Sequence, residues 1–401
     1  MLKAYGIIPS NMFKNITLVL VSKLGSAGLF FFINYLCIWF LSKNDYADFA
    51  YFISLVPIIA FLFNLGTNKS YLILQKRGEI AEIEFLSFKL LSCFILSIIF
   101  IFIFYLCDIQ IYYLYVFIFG LSLALMETHM VVFQTKKAFN CYAIINFSRN
   151  LIWLSTFLLL WHYSDTIELV TALNSLLISS VVIVVFSFLS MLFNGSYKYF
   201  QDYITITLKL MVVAKNFLWV ELSQNLMMRL ELWILSFYIS LGFFSPSNLA
   251  NFNAAFSIAF VLPLITNSIY NVLLPNVLTS DIQIVEILWS KKYLLIIVSS
   301  VLALIGVVFI NVFLPESYID AQVPFFIICI AVSLSFFTNI LQIQLIKNKE
   351  ESEIKNISLV QLFTAFIFGA PLIYFFGEIG AALSIFSIRM LGLLLTIKAI
   401  K

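Results

Sequence analysis

Long apolar segments recur along the whole chain, and they limit its fold more than any other feature of the sequence. Each is about 20 residues or longer, which is the length that an α-helix needs to cross roughly 30 Å of hydrocarbon. Continuous apolar runs favour helices, because the strands of a membrane barrel alternate apolar and polar residues. We count twelve such segments, at 15–41, 48–74, 85–107, 111–135, 142–163, 167–193, 212–241, 248–274, 291–314, 322–346, 356–376 and 379–398.

The composition agrees with a chain that is surrounded by lipid. Of the 401 residues, 63% are hydrophobic and only 11% are charged, whereas a soluble domain has about a quarter of its residues charged. The sequence therefore predicts an all-α integral membrane protein with 12 transmembrane helices.

Basic residues gather in alternate connections between the apolar segments. The opposite connections contain mainly acidic residues, so the positive-inside rule predicts that both termini are cytoplasmic. This orientation also requires an even number of spans. The basic residues on the predicted cytoplasmic side are Lys3, Lys14, Lys76, Arg77, Lys136, Lys137, Lys198, Lys291, Lys292, Lys347, Lys349, Lys355, Lys398 and Lys401.

A mixed aromatic and basic connection divides the predicted spans into two sets of six. We therefore predict an N-terminal lobe over 1–193, a cytoplasmic interfacial linker over 194–211 and a C-terminal lobe over 212–401. Transporters that consist of two repeats often place their substrate between the halves, so we expect two six-helix lobes around a central cavity.

Charged side chains also occur deep inside several apolar segments. A charge at the bilayer centre costs roughly 2.5–3.5 kcal/mol on insertion scales, so intramembrane charges are functional candidates unless they only fix helix packing. Arg229 and Glu231 diverge by about 200° around a helix axis, which predicts different neighbours for them. The candidates for substrate binding are Lys23, Arg149, Arg229 and Arg389, and the candidates for ion coupling are Glu127, Glu221 and Glu231.

Asparagine side chains form stripes on two of the predicted spans. Asn253, Asn267 and Asn271 share one face of span eight, and Asn64 and Asn68 follow Pro57 on span two. An amide both donates and accepts hydrogen bonds, which suits the hydroxyl groups of sugars. The alternative is that these amides only link neighbouring helices.

Several functional classes lack the motifs that they require. The sequence contains no Walker-type loop, no Cys/His zinc spacing and no nucleophile elbow. The net charge of +3 is too small to suggest a nucleic-acid partner. We therefore expect a transporter that is not an enzyme and needs no metal or organic cofactor, apart from candidate coupling to H⁺ or Na⁺.

Three stretches resemble the Wzx-type O-antigen flippases, a polysaccharide transporter family of the multidrug/oligosaccharidyl-lipid/polysaccharide exporter superfamily. They are "NDYADFAYFISLVPIIAFLFNLGTNKSYLI" (44–73), "RLELWILSFYISLGFFSPSNLANFNAAFSIAFVLPLI" (229–265) and "YNVLLPNVLTS" (270–280). The likeness extends over the whole chain as topology, and over these stretches as sequence.

The resemblance implies movement of an undecaprenyl-pyrophosphate-linked oligosaccharide, the O-antigen repeat unit, across a bacterial inner membrane by alternating access. It implies a role in lipopolysaccharide biosynthesis, with polysaccharide polymerase and chain-length proteins as partners. Arginine suits the paired oxygens of a pyrophosphate. A multidrug exporter of the same superfamily is the first alternative, and a membrane polysaccharide polymerase is the second.

Overall fold

The protein is described by a computed structural model, which is helical and contains no strands in the residues that it describes. These residues are 10–107, 111–136, 138–164, 168–227, 229–259, 300–301, 303–348 and 350–400. Within them, 8 helices are long and apolar enough to cross a membrane, or 9 if the bent pair Tyr199–Lys215 and Phe217–Met227 forms one span. The chain is therefore a multi-pass, all-α membrane protein, as its apolar segments predict.

The chain separates into two compact units that do not follow the predicted lobes. The first unit comprises Met1–Leu29 and Phe52–Asn225, and the second comprises Phe30–Tyr51 and Leu226–Lys401. The chain thus changes unit inside predicted spans one, two and seven. The predicted linker over 194–211 contains the 3₁₀ helix Ser196–Asp202 and the start of the next α-helix. The lobe boundaries at 193 and 212 stay a prediction.

Helices of the first unit follow one another through short connections. They are the first part of α1 (Ser10–Phe40), the second part of α2 (Lys43–Asn64), α3 (Thr67–Lys76), α4 (Glu82–Leu106), α5 (Ile111–Thr135), α6 (Phe139–Tyr163), α7 (Leu169–Phe193) and α8 (Tyr203–Met227).

Helices of the second unit include the remaining parts of α1 and α2. The others are α9 (Leu230–Ser240), α10 (Pro246–Ala259), α11 (Ala303–Phe313), α12 (Gln322–Lys347) and α13 (Glu351–Ile400).

Polar bonds between helices help to hold the first unit together. The Ser22 hydroxyl on α1 donates to the Ala143 carbonyl on α6 over 2.8 Å, and the Asn150 amide on α6 donates to the Ser26 carbonyl over 2.7 Å. Small hydroxyl-bearing residues allow close helix packing in lipid, where the helices gain little from excluding water. These bonds fix α1 against α6.

A break in the second predicted span corrects the expectation of one helix over 48–74. Helix α2 ends at Asn64 and α3 begins at Thr67. Leu65 (φ 44°) and Gly66 (φ 72°) between them adopt left-handed backbone conformations. The backbone of α8 also passes very close, because a Cβ at Gly66 would lie 3.2 Å from the Ala214 carbonyl oxygen.

The seventh predicted span, 212–241, is also two helices rather than one. Helix α8 ends at Met227, Arg229 has non-helical angles of φ −130° and ψ −6°, and α9 begins at Leu230. Residues before and after this break therefore do not follow one regular rotation of 100° per residue. Glu221 belongs to the first unit, whereas Arg229 and Glu231 belong to the second.

Helix α13 is a hairpin of two helices that reverses direction at Gly377. This glycine has φ 56° and ψ −128°, and the Gln361 amide donates to the Ile388 carbonyl over 3.0 Å across the hairpin. Its two arms correspond to the predicted spans 356–376 and 379–398. Predicted spans 248–274 and 291–314 lie partly outside the described residues, so the count of twelve and the cytoplasmic termini stay predictions.

We predict that Gly66→Ala destabilises the protein. A side chain at this left-handed position costs about 1 kcal/mol, and its Cβ would crowd the Ala214 and Leu218 backbone at 3.2 Å. Thermal unfolding of the detergent-solubilised protein should show a lower midpoint. Gly28→Ala is the matched control, because a Cβ there meets no described atom within 4 Å inside a helix. Equal midpoints for the two variants would contradict the prediction.

Candidate functional site

A polar cavity of about 430 Å³ lies within the first unit, beside the break between α2 and α3. It combines carboxylate, amide and ammonium groups with an apolar wall. Helices α2, α3, α5, α6 and α8 contribute side chains to it. The lining residues are Pro57, Ala60, Phe61, Asn64, Asn68, Lys69, Leu72, Leu123, Glu127, Met130, Val131, Gln134, Tyr142, Glu221, Gln224 and Asn225.

Asn64 connects a buried cation to a carboxylate at the wall of this cavity. The Lys89 ammonium on α4 is fully buried and donates to Asn64 Oδ1 over 2.8 Å. The other end of the same amide donates from Nδ2 to Glu127 Oε2 over 2.6 Å. One side chain thus supplies an acceptor to the cation and a donor to the anion, which compensates both at membrane depth.

Further charges surround the same cavity. Lys69 and Glu221 form an ion pair of 3.2 Å between α3 and α8. Arg149 on α6 attracts the Glu127 carboxylate electrostatically. Glu127 and Glu221, both predicted as ion-coupling groups, therefore belong to one cluster with Lys69, Lys89 and Arg149. We call these five residues the first charge cluster.

Lys23 lies on α1, between the two serines that bond α6. Its side chain is partly buried, and no carboxylate of the described residues lies within ion-pair distance of it. This predicted binding residue is thus a cation without an acidic partner in the first unit.

The second unit contains its own charge cluster on α9 and α13. Glu231 is 2% exposed and accepts a hydrogen bond from the Ser384 hydroxyl over 3.4 Å. Arg389, on the second arm of the hairpin, attracts the same carboxylate. We call Arg229, Glu231 and Arg389 the second charge cluster, and its carboxylate faces the hairpin.

Arg229 has a different neighbour from Glu231. Its guanidinium carbon lies 5.4 Å from the centre of the Phe256 ring on α10, which is a cation–π contact. No carboxylate of the described residues forms an ion pair with it. Among the described residues, the contact of the Arg229 guanidinium is therefore an aromatic ring and not a carboxylate.

The predicted asparagine stripe on span eight is only partly described. Asn253 is buried, and its amide donates to the Tyr46 hydroxyl on α2 over 2.9 Å. This contact links two helices of the second unit, which agrees with the alternative that these amides only link neighbouring helices. Asn267 and Asn271 lie outside the described residues.

Two cations of the first charge cluster are absent from the sequence-based set of site residues. Lys89 follows the first residues of the apolar run 85–107, and Lys69 lies near the end of the run 48–74. Both positions resemble the basic flanks that normally mark cytoplasmic span ends. Only the packing of α3 and α4 against α5 and α8 shows that these lysines face carboxylate and amide groups.

We predict that Asn64→Leu destabilises the first unit by about 1–3 kcal/mol, because it removes the 2.8 Å hydrogen bond of the buried Lys89 ammonium and the 2.6 Å hydrogen bond to Glu127. Lys89 then keeps the longer bond, of 3.5 Å, to the Phe63 carbonyl. Thermal unfolding in detergent should show a lower midpoint than in the wild type. Asn34→Leu is the matched control, since within the described part of the chain this buried amide donates to the Phe30 carbonyl of its own helix. An equal effect of both substitutions would contradict a bridging role.

Neither a protein-family model nor a curated protein matches the sequence. Solved structures do match it in fold. The structure of the lipid II flippase MurJ in an inward closed conformation has a TM-score of 0.70 at 14% identity, and the match covers 96% of this chain and 87% of that one. The eukaryotic MATE transporter AtDTX14 has a TM-score of 0.64 at 16% identity, covering 97% and 95%.

A third similar structure is a MOP superfamily transporter from Pyrococcus furiosus that has a binding pocket of reverse polarity. It has a TM-score of 0.58 at 11% identity, with coverage of 96% of this chain and 95% of that one. All three matches extend over nearly the whole chain. The protein therefore has the same fold as these transporters.

Proposed function

We propose that this chain is a flippase for a lipid-linked oligosaccharide in the bacterial cytoplasmic membrane. It moves an undecaprenyl-pyrophosphate-linked O-antigen repeat unit from the inner to the outer leaflet by alternating access. The lipid tail stays in hydrocarbon throughout, so the protein has to shelter only the anionic and sugar parts of the substrate. This is transport without a catalytic step.

The observation that carries the proposal is the excess of cations over carboxylates in the two charge clusters. The first charge cluster combines three cations, Lys69, Lys89 and Arg149, with two carboxylates; Lys69 pairs with Glu221, Lys89 donates to the Asn64 amide and Arg149 attracts Glu127. In the second, Arg389 attracts the one carboxylate, Glu231, whereas Arg229 contacts the Phe256 ring. Each cluster thus holds one cation more than it has carboxylates, and Lys23 adds another. Uncompensated charge is costly in lipid, and an anionic headgroup would neutralise it.

Pyrophosphate is the part of the substrate that suits these cations. Arginine offers paired donors to phosphate oxygens, so we assign Arg149, Arg229 and Arg389, together with Lys23, to this group. A negatively charged headgroup that moves outward also moves toward the positive side of the membrane. The membrane potential therefore assists the step by about 2.3 kcal/mol per charge per 100 mV.

A multidrug exporter with a cationic substrate is the second candidate, and one observation favours it. Glu127 and Glu221 line the cavity of the first unit directly, whereas Lys89 and Arg149 are not in its lining. The overall surplus of cations argues against this candidate, because like charges would repel such a substrate.

We expect Arg149→Ala and Arg229→Ala to reduce flipping of a fluorescent undecaprenyl-pyrophosphate-linked oligosaccharide in proteoliposomes. Loss of charge-assisted hydrogen bonds worth roughly 1.5–3 kcal/mol should lower the apparent affinity about ten- to hundredfold. Arg77→Ala is the control, because that side chain is 62% exposed and its ion pair with Glu79 is long, at 3.9 Å. Full flipping by both arginine variants would exclude the headgroup role, and transport of ethidium instead of the lipid would favour the exporter.

Glu127 is our first choice for ion coupling among Glu127, Glu221 and Glu231. Glu221 is held by Lys69 and Glu231 is buried next to Ser384, whereas Glu127 lines the cavity with a neutral amide as its hydrogen-bond donor. A carboxylate in this position can exchange a proton without breaking an ion pair.

Glu127→Gln should therefore abolish the response of the flipping rate to an imposed proton gradient. The response of the flipping rate to membrane potential should stay unchanged. The substitution keeps an oxygen that accepts from Asn64 but removes the titratable group. Initial rates in proteoliposomes, with the pH gradient and the potential set separately, measure both responses. Glu79→Gln on the exposed surface is the control. An unchanged response of Glu127→Gln to the pH gradient would exclude this residue as the coupling group.

A further inference from the structure

Asn68 lines the cavity of the first unit and has an unused hydrogen-bond acceptor. It lies in the first turn of α3, directly after the break at Gly66. Its side chain is 9% exposed, and Oδ1 has no hydrogen-bond partner among the described residues. A buried amide oxygen without a partner costs free energy, so it indicates a position where a ligand donates a hydrogen bond.

Other polar groups of the cavity wall are mostly acceptors or amides. Glu127 and Glu221 line it, as do Gln134, Gln224 and Asn225. Among the described lining residues, the basic one is Lys69. It already forms an ion pair with Glu221. Lys89 is fully buried and directed to Asn64. A phosphate in this cavity would face two carboxylates, whereas a group rich in hydroxyl donors would find acceptors.

Size and shape favour a small polar ring over a long chain. A volume of about 430 Å³ lies toward the lower end of the roughly 300–1,000 Å³ that is typical of small-molecule sites. Phe61 and Tyr142 also line the cavity and provide flat apolar surfaces for the C–H groups of a sugar ring. Discontinuous helices commonly form transporter substrate sites, and α2 and α3 form such a pair here.

We propose that this cavity is the sugar subsite of the substrate, and that it binds an uncharged pyranose through its hydroxyl or acetamido donors. The pyrophosphate binds outside it, since Lys23, Arg149, Arg229 and Arg389 are not among the residues that line it. This inference rests on the proposed flippase function. It assigns Asn68 and Gln224 to specificity for the sugar, and it separates them from the cations that bind the headgroup.

The test compares two lipids that differ only in the sugar. Full-length protein in lipid nanodiscs is titrated with undecaprenyl pyrophosphate that carries one N-acetylglucosamine, and separately with bare undecaprenyl pyrophosphate. We expect the wild type to bind the glycosylated lipid more tightly. Asn68→Leu should weaken binding of that lipid about five- to tenfold, the value of one hydrogen bond, and leave binding of the bare lipid unchanged.

Two further variants keep the test decisive. Gln224→Leu changes an exposed lining residue, so it should fold normally and show the same selective loss even if Asn68→Leu does not fold. Asn34→Leu, a buried asparagine outside the cavity lining, should bind both lipids as the wild type does. Arg229→Ala should weaken binding of both lipids equally, because it acts on the shared pyrophosphate.

The outcomes separate the two proposals. Equal affinity of the wild type for both lipids would overturn the sugar subsite while leaving the flippase function intact. Equal losses for both lipids in Asn68→Leu and Gln224→Leu would likewise overturn it and assign the cavity to the pyrophosphate. Failure of the wild type to bind either lipid would overturn the flippase function itself.

Discussion

The two-ended hydrogen bond of Asn64 shows the constraint that governs this protein. Lipid offers no partners to a charge, so every ionised group within the spans has to find them in other helices. Asn64 Oδ1 accepts a hydrogen bond from Lys89 over 2.8 Å, and Nδ2 of the same amide donates one to Glu127 over 2.6 Å. The arrangement draws α2, α4 and α5 together and places a carboxylate at the cavity wall. Structure and candidate function therefore depend on the same side chain.

Interrupted helices are the means by which polar groups reach the cavity and the charge clusters. At Gly66 the chain leaves α2 and starts α3, which brings Asn68 and Lys69 to the cavity. At Arg229 it leaves α8 and starts α9, which separates Glu221 from Glu231. Each break exposes backbone groups that a continuous helix would satisfy, a cost that is acceptable only where the chain lines a cavity or packs against protein.

Charge balance, more than fold, separates the candidate functions. The same fold occurs in a lipid II flippase and in MATE transporters, so the fold alone does not choose between lipid-linked and cationic substrates. The cation surplus of each charge cluster favours an anionic headgroup. Within the first unit, the acceptor-rich cavity and the cations outside its lining suggest separate positions for the sugar and the pyrophosphate.

The sequence by itself determined the class of fold and the presence of charges in the spans. Apolar length is a local property, so it identifies membrane helices without knowledge of packing, and it also located the hairpin arms on either side of Gly377. The tertiary structure decided what those charges contact. The backbone is not helical at Leu65–Gly66 and at Arg229, and apolar length did not reveal either break.

Lys89 illustrates the same limit. In the sequence, Lys89 lies near the start of an apolar run, where it is indistinguishable from a basic flank. Its burial against Asn64 depends on helices that are distant in the chain. The sequence showed that charges lie in the membrane-spanning segments, whereas partner choice arises from contacts between helices, which only the folded chain brings together.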